Sequence, residues 1–419
     1  MQPGSLLTLD IEKPAAGGRM LARHQGQVVL VWGAIPGERV SARVERVGKG
    51  VIFAETAAVL NPSDDRRSDV GDWRCGGNVL AFVAYPRQLQ LKGQIIQDTL
   101  KRIGRVPLSK PPDVIASPEH GYRMRARLHA SDGRIGFYRE GTHALCGASQ
   151  TRQLSDGTNA WIARAEEIVP GTAQAGLAAI ELSENIVGDE RACHLELQAG
   201  ADVSRFTGLA EGLVGLSASR ADRGGVETLS GTPTISDSVR GVHLQREVRA
   251  FFQGNRFLIE PLVEHVIDRV PEGPVVDLYA GVGLFGLSLA ATRSSTVIVV
   301  EGDPVSGADL KANAEPFGDH LRVERRSVEQ FLAVIRDRKA PMTGATMIVD
   351  PPRTGMSNEA LAGAIGLQPA RIVYVSCDVA TFARDTRTLI NAGYELRELT
   401  GIDLFPNTAH VETVAVFVR

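Results

Sequence analysis

The 419-residue chain is poor in cysteine, with only four, and it has no long apolar run. Four cysteines over that length exclude a disulfide framework and make a reducing cytoplasm the expected compartment. No stretch of about 18 apolar residues is present, so no membrane-spanning helix is expected. The opening MQPGSLLTLDIEKPAAGG lacks a basic region followed by an apolar segment, so it does not read as a signal peptide. No internal repeat or low-complexity tract stands out. What remains is ordinary globular composition, 43% hydrophobic and 23% charged, which argues against long disorder. At about 150 residues per domain the length suits two or three domains, with a core large enough to need no staples.

The net charge of −3 hides an asymmetry. Residues 1–150 carry 21 Lys and Arg against 14 Asp and Glu, while residues 151–419 carry 25 against 35. A basic front on an acidic back suits a polyanion held by one end of the molecule, and chance scatter of solvated charges gives the same count.

Residues 1–60 contain LLTLDIEK, GQVVLVW, ERVSARVERV and GVIFAETAAVL, four segments rich in Val, Ile and Leu and separated by glycine turns. Short strands in so small a unit suggest a barrel of the oligonucleotide-binding kind, or a generic β-domain with no ligand. Residues 61–74 read as a polar linker. Residues 86–103 read as a helix, with Leu89, Ile95, Ile96 and Leu100 near helical spacing. Residues 122–130, YRMRARLHA, read as a strand with Arg123, Arg125 and Arg127 on one face, either a phosphate-gripping stripe or a solvated face. Residues 151–243 show a mixed pattern without a chemical motif.

From Pro274 onward the texture changes. PVVDLYAGVGLFGLSLA, TVIVVEGDP, ATMIVDPPR and ARIVYVSC are near-continuous apolar strands followed by helical segments. That pattern predicts an α/β, doubly wound parallel sheet covered on both faces, with ligands beyond the carboxyl ends of its strands. Polar residues stand at those ends. Asp277 precedes a glycine turn made by Gly281, Gly283 and Gly286, and Glu301 ends the next strand. The G-x-G-x-x-G spacing alone also fits a dinucleotide loop or a plain turn. An acid before the turn is a poor host for pyrophosphate and a good one for a cationic cofactor, which points to S-adenosylmethionine. Glu301 is placed to accept the hydroxyls of its ribose.

Asp350 lies in DPPR, where two prolines stiffen the turn that would hold its carboxylate and Arg353 over a planar ring. A helix N-cap is the plainer reading of such an aspartate. Cys377 ends an apolar strand before a helix start, so the helix dipole is expected to lower its thiol pKa and favour thiolate. A small core residue is the ordinary reading of a lone cysteine. His410 and Glu412 should share a face of the final strand, with Val411 opposite. Phe251, Phe252, Gln253 and Asn255, in FFQGN, pair aromatics with amides as a nucleobase site would.

Taken together, FFQGN, DLYAGVGLFG, VVEGD, DPPRTG, SCDVATFARD and LFPNTAHVET form an ordered set that resembles the RNA 5-methyluridine methyltransferases, class I S-adenosylmethionine enzymes. The resemblance is dense over residues 251–419. It is looser over residues 1–60, which resemble the TRAM-like RNA-binding barrel often fused to the ribosomal members. It implies a barrel at 1–60, a central α+β domain at 61–243 and a Rossmann-like methyltransferase domain at 244–419. It implies Cys377 as nucleophile and Glu412 as general base. Gln253, Tyr279, Glu301 and Asp350 would line the methyl donor and the uracil, and Phe251 and Arg353 would meet the substrate base.

Relatives of this kind often hold a four-iron cluster on four cysteines. Here Cys75 and Cys146 match two ligand positions, while Asp69 and Asn78 stand at the others, so no cluster and no metal is expected. Asp378-Val379 replace a frequent Asn-Pro, Leu284 replaces a frequent Asn in the glycine turn, and Ser327 stands where an acid often meets the adenine. The expected partner is RNA, ribosomal RNA ahead of tRNA because of the barrel, with no membrane. Cytosine-C5 methylation and a non-catalytic RNA-binding factor are the alternatives.

Overall fold

Strict inside–outside alternation over the first sixty residues closes a five-stranded barrel. Its strands are β1 (Leu6–Pro14), β2 (Met20–His24), β3 (Gln27–Trp32), β4 (Arg39–Gly48) and β5 (Val51–Asn61), in the order β1-β2-β3-β5-β4. Leu7, Leu9, Ile11, Val29, Val31, Val40 and Ile52 point inward, with Ala22, Ala42 and Ala54 fitting the narrow interior. The strand that the sequence reading missed is β2, whose five residues MLARH offer only Met20 and Ala22 to the core. The computed structural model describes residues 2–68, 70–168, 176–293, 296–337 and 342–419, so Asp69 falls outside the described residues.

The expected helix is α1 (Tyr85–Thr99), with Pro86 in its first turn, continued by one wider turn over residues 100–104. Leu91, Ile95 and Ile96 are buried on it, and so are Gln88 and Lys92. A two-residue strand, β6 (Val114–Ile115), follows.

The central region is a seven-stranded sheet in the order β13-β12-β11-β10-β7-β8-β9. It comprises β7 (Arg125–Ser131), β8 (Arg134–Tyr138), β9 (Leu145–Gly147), β10 (Leu177–Glu184), β11 (Arg191–Leu197), β12 (Gly215–Arg220) and β13 (Arg223–Gly231). Helix α2 (Asp156–Ile168) packs Trp161, Ile162 and Ala165 into its core. The arginine stripe is mostly spent on neighbours: Arg125 pairs with Glu181 and Arg127 with Glu196. Cys75 and Cys146 are joined by a disulfide that ties the segment after the barrel to β9. Composition gave no hint of this bond, because 71 residues separate the two sulfurs along the chain. A hairpin, β14 (Thr234–Val239) and β15 (Val242–Glu247), leads into the last domain.

The C-terminal sheet has eight strands in the order β18-β17-β16-β19-β20-β22-β21-β6. The parallel part is β16 (Val275–Leu278), β17 (Val297–Glu301), β18 (Leu321–Arg325), β19 (Thr346–Val349) and β20 (Arg371–Ser376). Strands β21 (Glu395–Ile402) and β22 (Glu412–Val418) close it as an antiparallel pair, with β22 antiparallel to β20. Helices α3 (Ile259–Ile267), α4 (Leu284–Thr292), α5 (Pro304–Ala314), α6 (Val328–Asp337), α7 (Asn358–Gly366) and α8 (Val379–Asn391) cover it, and two hydrophobic clusters sandwich the sheet. This is the doubly wound α/β architecture expected from the apolar strands. The sheet is mixed rather than wholly parallel, and its β6 edge comes from residues ahead of the seven-stranded sheet.

Candidate active site

Sheet order decides the site. Strands β17, β16, β19 and β20 lie side by side, all running the same way. Their carboxyl ends therefore present Glu301, Tyr279, Asp350 and Cys377 along one rim. Strand β22 runs the other way, so its first residue belongs to that same rim. The register pairs Ser376 with Thr413, which sets Glu412 beside Cys377. Residues 35 apart in sequence thus become neighbours through one antiparallel pairing.

The glycine turn shapes the pocket. Gly281 and Gly283 have positive φ, and a Cβ on Gly283 would run into Leu287. Tyr279 also has a positive φ, of 61°, a strained conformation for an aromatic residue. A cleft opens here, lined by Phe251, Gln253, Tyr279, Gly281, Val282 and Asp350. Glu301 accepts hydrogen bonds from Gly281 N at 2.7 Å and Asp303 N at 2.6 Å, which hold its carboxylate at the turn. Asp277 lies beneath the turn, where its Oδ2 accepts from Gly286 N at 2.8 Å and its buried Oδ1 has no partner among the described residues. Burial pushes the Asp277 carboxyl up to about 8.

FFQGN splits by function. Phe251 is 56% exposed at the cleft mouth, and Gln253 Nε2 donates to Asp350 Oδ2 at 3.1 Å. Phe252 borders the cleft but is buried, packed in the core under the Arg246 guanidinium. Asn255 is buried and donates to Ser117 Oγ and the Leu404 carbonyl. Phe252 and Asn255 are structural members of a motif that sequence alone could not divide.

Acids dominate the electrostatics. Glu412 is 3% exposed, and its Oε1 has no hydrogen-bond partner among the described residues. Burial, then the charge of Asp350, raises its carboxyl well above the usual range. Burial likewise lifts Asp350. The Cys377 thiol is pushed up to about 12 by burial, then by Glu412 and Asp350, with Arg353 opposing. The expected lowering by the helix dipole is therefore overturned: two carboxyl groups and desolvation outweigh half a helix charge, and Asp378 spends its own carboxylate capping Thr381 N. Arg353 has no carboxylate in ion-pair contact among the described residues. His410 precedes β22 rather than lying within it, edge-on to Phe405. Ser327 sits against Gly302 at the far end of the rim, and Leu284 is buried as the first residue of α4.

Residues 232–419 match the family described as tRNA (Uracil-5-)-methyltransferase, and residues 1–57 match the TRAM domain. The 23S rRNA (uracil(1939)-C(5))-methyltransferase RlmD of Shewanella amazonensis is 30% identical, over 98% of this chain and 95% of that one. This chain belongs to the RNA uracil-C5 methyltransferase family. An RNA methyltransferase of Thermosynechococcus vestitus is 30% identical to it over 99% of this chain and 98% of its own. Its fold is also that of the Pyrococcus abyssi tRNA (uracil-54, C5)-methyltransferase, solved with S-adenosyl-L-homocysteine, at a TM-score of 0.78 and 24% identity. That match covers 98% of this chain and 99% of the other, so the whole three-part architecture also occurs in a tRNA enzyme. A barrel at the front therefore does not by itself separate ribosomal from tRNA members of the family.

The sequence reading passed over Gln88, Lys92, Asp403 and Asn407. Asn407 lies in LFPNTAHVET but was given no role there; the other three stand in no motif, and the four meet only through the fold. The one available signal was two polar residues, four apart, on the apolar face of α1.

Proposed function

We propose that this protein methylates C5 of a uridine in ribosomal RNA, with S-adenosylmethionine as donor, through a covalent bond between Cys377 Sγ and C6 of the base. The observation that carries this reading is the Ser376–Thr413 register, which puts a half-buried thiol and a buried carboxyl side by side at one rim of the sheet. A cleft lined by Asp350, with Glu301 bonded to the glycine turn that edges it, suits a cationic donor that approaches backbone closely. Bound there, S-adenosylmethionine supplies an electrophilic methyl group on a sulfonium.

Each chain group then has one task. Phe251 flanks a base turned out of its stack. The Cys377 thiol gives its proton to solvent water and its sulfur bonds to C6, while the C5=C6 electron pair shifts toward the C4 carbonyl as an enolate that makes C5 nucleophilic. Arg353 favours that thiolate. After C5 is methylated, the Glu412 carboxylate removes the C5 proton, the C5=C6 bond re-forms and Sγ leaves. Gln253 fixes the Asp350 carboxylate at the junction of donor and base.

The RlmD relative supports a ribosomal substrate, and a cytoplasmic site of action goes with it. The fold shared with a full-length tRNA enzyme supports tRNA as the second reading. The test is nucleoside analysis of 23S rRNA and tRNA transcripts incubated with purified protein and labelled donor. 5-Methyluridine in ribosomal RNA is expected. The same product in tRNA alone selects the second reading, 5-methylcytidine selects cytosine chemistry, and no product removes the enzymatic reading.

A further inference from the structure

Residues 403–411 join β21 to β22 and deliver Glu412 to the rim. Connections of this length are ordinarily mobile. This one is bonded along its length to other parts of the molecule. The Lys92 ammonium, 0% exposed, donates to Asp403 Oδ1 at 2.5 Å and to the Phe405 carbonyl at 3.0 Å. The buried Gln88 amide is fully used: Nε2 donates to the Asn407 side-chain carbonyl and to the Val83 carbonyl, both at 2.9 Å, and Oε1 accepts from Asn407 N at 2.9 Å. Asn407 has a φ of 64°, and its own carbonyl accepts from Leu80 N. On the far side the barrel backbone touches the connection, since a Cβ added to Gly18 would lie 3.3 Å from that of Ala409.

We propose that Gln88 and Lys92 of α1 are positioning residues for Glu412, holding residues 403–411 so that the base meets C5 of the bound uridine; this rests on the uridine-C5 reading. Stability alone does not account for the pair. A buried ammonium–carboxylate contact is on average no better than apolar packing of the same volume, whereas it specifies one geometry. Ile402 pairs directly with Glu412 across the two strands, so an anchor on Asp403 acts one residue from the position that pairs with the base. The Gln88–Asn407 bonds fix the other half of the connection, next to the barrel.

The experiment compares wild type with Gln88→Met, Asn407→Gly and Lys92→Met on an RNA that wild type methylates. Glycine accepts the positive φ of Asn407, so that variant removes the side-chain bond and keeps the backbone path. Expected is a fall in kcat of about 10- to 100-fold, the penalty of displacing a reacting group by about an ångström. Binding of S-adenosylhomocysteine is expected to hold, and the fraction of enzyme trapped as a covalent RNA adduct to rise, because the base acts after Cys377. Leu91→Ala, in the same helix but packed toward the barrel, is the stability control: it should lower Tm without raising the adduct fraction. Should all three variants lose activity only in step with their folded fraction, as that control does, or keep wild-type kcat and adduct level, the positioning role is overturned. If wild type itself yields neither 5-methyluridine nor adduct, the underlying reading has failed, and the positioning role falls with it. Gln88→Met and Asn407→Gly decide the question if Lys92→Met does not fold.

Discussion

Gln253 holds Asp350 by a single 3.1 Å hydrogen bond, and no cation shares that carboxylate among the described residues. Burial without a counter-charge lifts Asp350, so in the free protein the group keeps its proton to higher pH than an ordinary carboxyl. A cationic donor bound against it stabilises the carboxylate and expels that proton. Donor affinity is therefore expected to strengthen as pH rises through that raised titration and to level off above it. Calorimetry at pH 6 in buffers of different ionisation enthalpy should report proton release, and Asp350→Asn should abolish it. A binding enthalpy independent of buffer would sink this account.

Cys377→Ala should lose turnover by about 10³-fold or more, the scale on which removal of a nucleophile acts. Binding of S-adenosylhomocysteine should be nearly unchanged, because the thiol stands at the far side of Asp350 from the glycine turn. The check is single-turnover methylation alongside ligand titration. Full activity in the alanine variant would remove the thiol from the reaction.

Glu412→Gln keeps the size of the side chain and removes the base. The covalent step precedes the base, so an RNA–protein adduct should accumulate and be visible as a shifted band under denaturing electrophoresis. Release of product at the wild-type rate would contradict the assignment. The same substitution bears on stability. Glu412 has a raised folded pKa, so its protonated form favours the fold below the unfolded value, and that contribution is lost as pH rises toward the folded value. Glu412→Gln is therefore expected to raise Tm at pH 8 relative to wild type, with the gain shrinking near pH 4.

The Cys75–Cys146 bond makes its own forecast. Denatured but unreduced protein should expose two reactive thiols, those of Cys193 and Cys377. Cys146→Ser should lower stability by about 4 kcal/mol, the loop-closure scale for a bridge of this span. With both sulfurs bonded to each other, anaerobically prepared protein should hold no stoichiometric iron. Four labelled thiols, or a brown preparation, would reverse this.

Much of the site could be read along the chain because each residue ends a strand next to a turn with its own chemistry. Asp350 before two prolines and the glycines after Asp277 carry local signals. Neighbours from other strands overturned one local expectation and decided one reading that local context left open. The thiol of Cys377 is harder to ionise, not easier, because Glu412 and Asp350 arrive from other strands. Arg125 and Arg127 meet carboxylates of β10 and β11 instead of standing free for phosphate.

By itself the sequence determined four of the five barrel strands and the C-terminal strands that end at Leu278, Glu301, Val349 and Ser376, since hydrophobic period and turn residues act over a few positions. Only the tertiary structure decided that β22 inserts antiparallel beside β20, that Cys75 reaches Cys146, and that Gln88 and Lys92 grip the connection before Glu412. Those contacts span 37 to 319 positions of chain, and no periodicity encodes a pairing between residues so far apart.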